Sequence, residues 1–388
     1  MKFLNTLRRI FFAELKTIFT DGGAILLFFV ANLVYPVVYS TAYTNEVLEE
    51  LSVCVVDSDN TGLSRKITKY LDNTNELSVD YKVHDMADAK ELFDNGKIHA
   101  VYNIPKDFEK DILSQKQATL GMYGDGAYFL YYKTAQKALV YAGGTLSAEV
   151  EIKRLMSKGM DFNSAKKSSN ITNLKVFNEY NPSGGYGSFL MPAIIYLILQ
   201  QTLLIGIGLL GGTQREKNTF KYYKAFDNKR GGIGALVIGK AMAYVLVYLV
   251  NFILSLYVIN DLFGFPNAGS FTNQLALTIP YLFAVSFLGM SISTLFKTRV
   301  QSLLFLVFLS PVMLFMVGIS WPLEAIPTFL KIIFSIFPSQ FAIPAFIRIK
   351  LMDAELAMVS VEYIIILIQM VIYFGIACFA YKRMIHKN

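Results

Sequence analysis

Charge is scarce in this chain. Only 17% of its 388 residues are Asp, Glu, Lys or Arg, where a soluble chain carries about a quarter. Cysteine is nearly absent too: Cys54 lies in the segment between the first two long apolar runs and Cys378 in the last such run, so no disulfide is expected. The three histidines, His84, His99 and His386, share no ligand spacing and leave almost no material for a metal centre. No A-x-A-like site follows the first apolar run, which is also too long for a signal peptide, so an uncleaved anchor is expected. The net charge of +7 invites a nucleic-acid reading. That reading fails, because the basic residues alternate between segments instead of forming one stripe.

What is abundant is apolar sequence, 54% of the chain. Six runs, near 22–42, 188–210, 233–259, 274–296, 302–321 and 361–381, are long enough to cross a bilayer core. Lys and Arg collect beside alternate ends of these runs: Arg8, Arg9 and Lys16, then Arg215 to Arg230, then Lys297 and Arg299, then Lys382 and Arg383. Residues 260–273 hold none. The positive-inside rule therefore predicts both termini in the cytoplasm, with residues 43–187 on the outer side of the membrane.

That outer segment alternates strand and helix patterns. LSVCVVD, LSVDYKV, IHAVYNIP and ATLGMYGD read as strands, with helices between them and a long helix over about 127–158, loosened at Gly143-Gly144. The expected fold is a polytopic α-helical membrane protein of six transmembrane helices carrying an inserted extracytoplasmic α/β domain.

VVDSDNTGL, residues 55–63, tests whether that domain holds an active site. A D-x-D-x-T motif after a strand is the pattern of phosphoaspartyl phosphatases, and D-x-D also opens calcium loops. Thr68 stands where a calcium loop needs its bidentate Glu, and no acidic pair completes a phosphatase. The favoured reading is structural: Asp57 ends the strand, and Asp59, Asn60 or Thr61 caps the next helix. GALVIGKA, residues 234–241, mimics a phosphate loop but has Ala241 in place of the magnesium-binding hydroxyl. No cofactor is expected on this chain, and Lys240→Ala is expected to leave function largely intact.

VVDSDNTGLSRKITKYLD, HAVYNIPKDFEKDI and LGMYGDGAYF, followed by Tyr180-Asn181-Pro182 and GISWPLEAIPTFLKIIFSIFPSQFAIPAFIRI, closely resemble the permeases of type-2 ABC exporters. Thr61 and Gly62 replace the usual Ser and Pro of that family. The resemblance implies a transport subunit without enzymatic activity, a separate cytosolic ABC ATPase, and a second permease chain, identical or paralogous. A periplasmic adaptor and membrane lipids are further partners it suggests, and nucleic acid is not one. It also implies that the segment 211–232 couples to the ATPase. Arg215 and Glu216 match the start of an R-E-x-x-x-G-T pattern there, and Phe220 and Tyr223 would supply apolar contacts.

Residues 1–21 read as an amphipathic interface helix. Residues 322–350, broken by four prolines, read as an outer re-entrant hairpin. Apart from Lys240 and Glu362 near span edges, the spans offer only neutral polar groups such as Asn32, Gln200, Gln201 and Asn251, suited to interhelical hydrogen bonds. The absence of carboxylates at mid-membrane argues against ion-coupled transport. The rival reading from another class is a membrane-anchored receptor or scaffold whose outer domain binds a partner.

Overall fold

A computed structural model of the chain describes residues 2–169, 179–182, 184–219 and 232–387. The chain divides into two units, Val47–Phe177 and a helical unit built from Met1–Glu46 and Asn178–Asn388.

The first unit contains a four-stranded sheet. Its strands are β1 (Leu51–Asp57), β2 (Leu77–Val83), β3 (Ala100–Ile104) and β4 (Gly121–Gly124), in the order β2-β1-β3-β4. The first three are parallel, because helices carry the chain back between them, while β4 pairs antiparallel with β3. A sheet of this kind is covered on both faces. Helix α3 (Gly62–Asp72) and the 29-residue α6 (Phe129–Ser157) cover one face over Val53, Val55, Tyr102 and Ile104. Helix α4 (Met86–Asp94) covers the other, over Cys54, Val56 and Val101. Helices α5 (Phe108–Leu113) and α7 (Phe162–Ser169) complete the unit. Contrary to expectation, α6 runs unbroken through Gly143-Gly144.

The acidic turn after β1 is fully engaged in structure. Asp57 accepts from the backbone N–H of Asp59 and Asn60 and from the Ser64 hydroxyl (2.7 Å). Thr61 is the N-cap of α3, closing a capping box with Ser64. Asp59 reaches across to accept from the N–H groups of Phe108 and Glu109, both at 3.0 Å, at the start of α5. Glu109 returns the contact by accepting from Gly62 N–H at 3.1 Å. Two helix N-termini thus exchange carboxylates.

Glu149 on α6 clamps α3 by accepting from Lys66, from the Tyr70 hydroxyl (2.5 Å) and from Lys153 (2.9 Å). These contacts, Lys66 foremost, hold its carboxyl down at about 2, below the ordinary 4.5. A carboxyl depressed on folding stabilises the fold above its unfolded value, and that contribution is lost as pH falls from about 4.5 toward 2. Pulse proteolysis with pepsin should therefore show wild type more resistant than Glu149→Gln near pH 5, with the gap closing as pH drops. A constant gap would exclude the linkage.

The helical unit begins with α1 (Lys2–Thr20) and contains, among the described residues, six helices long and apolar enough to span a membrane. They are α2 (Gly22–Ala42), α8 (Tyr186–Glu216), α9 (Gly232–Leu262), α10 (Phe271–Ser293), α11 (Arg299–Met316) and α14 (Leu356–His386). Between the last two, α12 (Thr328–Phe334) and α13 (Ser339–Met352) meet at 92°. Helix α8 is the axis of the unit: it is almost wholly buried, whereas few residues of α2, α11 and α14 are. Tyr196 of α8 stacks between Tyr281 of α10 (4.8 Å between centroids) and Phe346 of α13 (4.2 Å).

As expected, neutral polar residues bond across helices. Gln200 donates to the Ser339 hydroxyl (2.8 Å) and accepts from Ser339 N–H (3.0 Å), fixing the start of α13. A π-helical turn at Leu26–Val30 leaves carbonyls without their regular partners. Asn32 and Asn251 donate to those of Leu27 and Phe28.

Candidate functional site

Two clusters of ionisable groups lie among α1, α8, α9 and α11, one at the end of α8 and one between α1 and α9. The apolar run was expected to end near residue 210, but α8 continues to Glu216, and its Gly211 and Gly212 permit a close approach. A Cβ on Gly212 would stand 2.7 Å from the backbone of Arg299, and one on Gly211 would stand 2.8 Å from Ser293. The start of α11 therefore presses directly on the last turns of α8.

Contacts at that junction are polar. Arg215 donates to the Thr294 carbonyl (2.7 Å), in the short connection after α10. Glu216 accepts from the backbone N–H of Arg299 at 2.9 Å, which puts its carboxylate at the N-terminus of α11. The Arg299 guanidinium forks onto Asp21 at 2.8 and 3.0 Å and reaches the Thr213 hydroxyl at 3.3 Å. Asp21 itself caps α2 through the N–H groups of Gly23 and Ala24. Burial pushes the Asp21 carboxyl up, but the hydrogen bonds from Arg299, Ala24 and Gly23 outweigh it and leave the group below its usual value.

The second cluster lies deeper. Glu14 interrupts the apolar stripe of α1, between Ile10 and Ile18, and is 3% exposed. It pairs with Lys240 of α9 at 3.1 Å and accepts from the Tyr244 hydroxyl. Lys240, 1% exposed, also donates to Gln214 of α8 (3.1 Å) and lies 5.8 Å from the ring centroid of Tyr381 on α14. One ion pair thus ties α1 to three spans.

Of the four coupling residues expected from sequence, the structure brings Arg215 and Glu216 together at the α8 terminus, each bonded to a different neighbour. Phe220 and Tyr223 lie outside the described residues. Sequence reasoning missed Glu14, Asp21, Lys240 and Arg299. Lys240 was set aside with the false phosphate loop, whose residues are continuous helix in α9. A lone acid in the apolar stripe of α1 was the available signal for its partner.

Residues 23–379 match the profile of the family described as ABC-2 family transporter protein. The chain is 22% identical over 347 residues to the "Probable multidrug ABC transporter permease YbhR" of Escherichia coli (strain K12), covering 89% of this chain and 90% of the relative. The same protein of Escherichia coli O157:H7 matches equally.

Proposed function

This chain belongs to the ABC-2 family of transporter proteins, and from that premise we propose that it is the membrane subunit of an ATP-driven exporter, powered by a separate cytosolic ATPase. The observation that carries the reading is the α8 terminus. A displacement of Arg215 and Glu216 reaches the α10 connection, the start of α11 and, through Arg299, the Asp21 corner of α2 without passing through a flexible loop. Helix α8 then carries it through the centre of the bundle. The basic groups around this end, Arg8, Arg9, Lys16, Lys297, Arg299, Lys382 and Arg383, support its placement on the cytosolic side.

In this reading both termini are cytoplasmic and the α/β unit is extracytoplasmic. The α12–α13 corner is the outer re-entrant hairpin, and two permease chains form the route between them. A multidrug cargo, as in the name of the Escherichia coli relative, suits an apolar bundle. Segment 211–232 docks on the ATPase, with Phe220 and Tyr223 as contacts, and α1 lies beside it at the membrane surface.

Two measurements test this together. The purified chain should hydrolyse no ATP, whereas its complex with a cognate ATPase should show substrate-stimulated hydrolysis. An impermeant thiol reagent should label Lys116→Cys in intact spheroplasts and Lys217→Cys only after lysis. Labelling of position 217 from outside, or stable isolation with no ATPase partner, would return the chain to the receptor reading.

A further inference from the structure

The α/β unit contains a cavity of about 480 Å³ that the transport reading does not use. Small-molecule sites occupy about 300–1,000 Å³ and combine apolar walls with a few polar groups. Here the buried side chains of Ile67, Phe108 and Leu146 form the floor, and Ile112, Leu120 and Val150 form the walls. The rim is polar: Gln115, Lys116, Gln117, Glu151 and Arg154.

Two residues at this cavity break local rules. Gln115 holds φ at +58°, in the left-handed region, where the chain turns after α5 and where glycine is the ordinary choice. A non-glycine residue there costs about 1–2 kcal/mol. Gly143 sits mid-helix in α6, where glycine is about 1 kcal/mol worse than alanine. A Cβ on it would meet nothing within 4 Å, so no close packing demands a glycine. Each exception serves the cavity. The Gln115 amide oxygen accepts from Arg154 at 3.4 Å, and the missing side chain at 143 leaves the wall open.

The rim also specifies charge. Arg154 gives one nitrogen to Glu151 (2.5 Å) and one to Gln115, while its Nε has no hydrogen-bond partner among the described residues. With Lys116 the rim carries two cations against one carboxylate. We propose that this cavity binds a small amphipathic anion, a carboxylate on an apolar chain of medium length. The chain lies on Ile67 and Leu146, and the carboxylate replaces the weak Gln115 contact on Arg154, beside Lys116. The site is separate from the α8 terminus and stands or falls independently of the transport reading.

The test uses the full chain in zwitterionic lipid nanodiscs, a diazirine derivative of laurate, and mass spectrometry of the labelled peptides. Adducts are expected on residues 115–120 and 143–154, displaced by laurate but not by dodecanol. Gly143→Leu should abolish them while leaving the adducts on lipid-exposed helices unchanged. Ser147→Phe, which narrows the same cavity from an exposed position, should do likewise. Arg154→Gln should weaken laurate competition about tenfold, the loss of one charge-assisted contact. Undiminished labelling in both filled variants, or competition by dodecanol equal to that by laurate, would overturn the proposal.

Discussion

Lys240→Met should cost the assembled protein about 3–5 kcal/mol, because it leaves the Glu14 carboxylate buried without its counter-charge. Folded proteins hold only about 5–15 kcal/mol in reserve. The expected result is a sharp fall in monodisperse yield and in thermal midpoint in detergent. Glu14→Gln should also destabilise, since it removes the carboxylate that faces the buried ammonium. The double variant should recover most of the loss, because removing both charges also removes the desolvation cost of each. A wild-type midpoint for Lys240→Met would mean that the pair, despite its burial, contributes nothing. The sequence suggested the opposite outcome for this lysine. GALVIGKA was judged only as a nucleotide motif, and dismissing the motif dismissed the residue with it.

The second large effect is functional. Glu216→Ala removes the carboxylate from the α11 terminus, a loss of about 1 kcal/mol typical of a cap, so insertion and assembly should survive. Coupling should not survive. The α8 and α11 ends would keep their packing and the Arg299–Thr213 contact but lose the bond that fixes the α11 N-terminus to the last turn of α8. Reconstituted complexes should then hydrolyse ATP at the basal rate with no substrate stimulation. Glu216→Gln, which keeps the acceptor, should retain part of the response. Phe220→Ala and Tyr223→Ala should instead weaken recovery of the ATPase in a pull-down. Full stimulation in Glu216→Ala would remove the α8 terminus from the energy path.

The six spans were legible because each announces itself through about 20 consecutive apolar residues, and the strands through short β-rich runs. Span ends were less legible. Gly211-Gly212 carries the composition of a loop, and only the partner helix against it reveals a packing contact. The same holds for Gly143-Gly144, where a helix that sequence would loosen runs straight past a cavity. At the candidate site, Arg215 and Glu216 were found through a motif. Their partners Thr294 and Arg299 lie about 80 residues away, and nothing local marks them. Glu14 and Lys240 were readable one at a time, as a polar residue in each of two apolar stripes. Pairing them required the fold.

The pairing of Glu14 with α9 has a bearing on biosynthesis. The partner hydroxyl, on Tyr244, is made 230 residues after Glu14, which at ~5–20 residues per second is a wait of roughly 10–50 s. Throughout that interval α1 has been synthesised and α9 has not. A helix with an uninterrupted apolar stripe would have every reason to insert or aggregate while it waited. If α1 rests at the membrane surface as proposed, the acid at its centre would disfavour burial there, and the late arrival of Lys240 would supply the charge against which it docks. The same carboxylate would thus delay the first helix of the chain until the third span is ready to receive it.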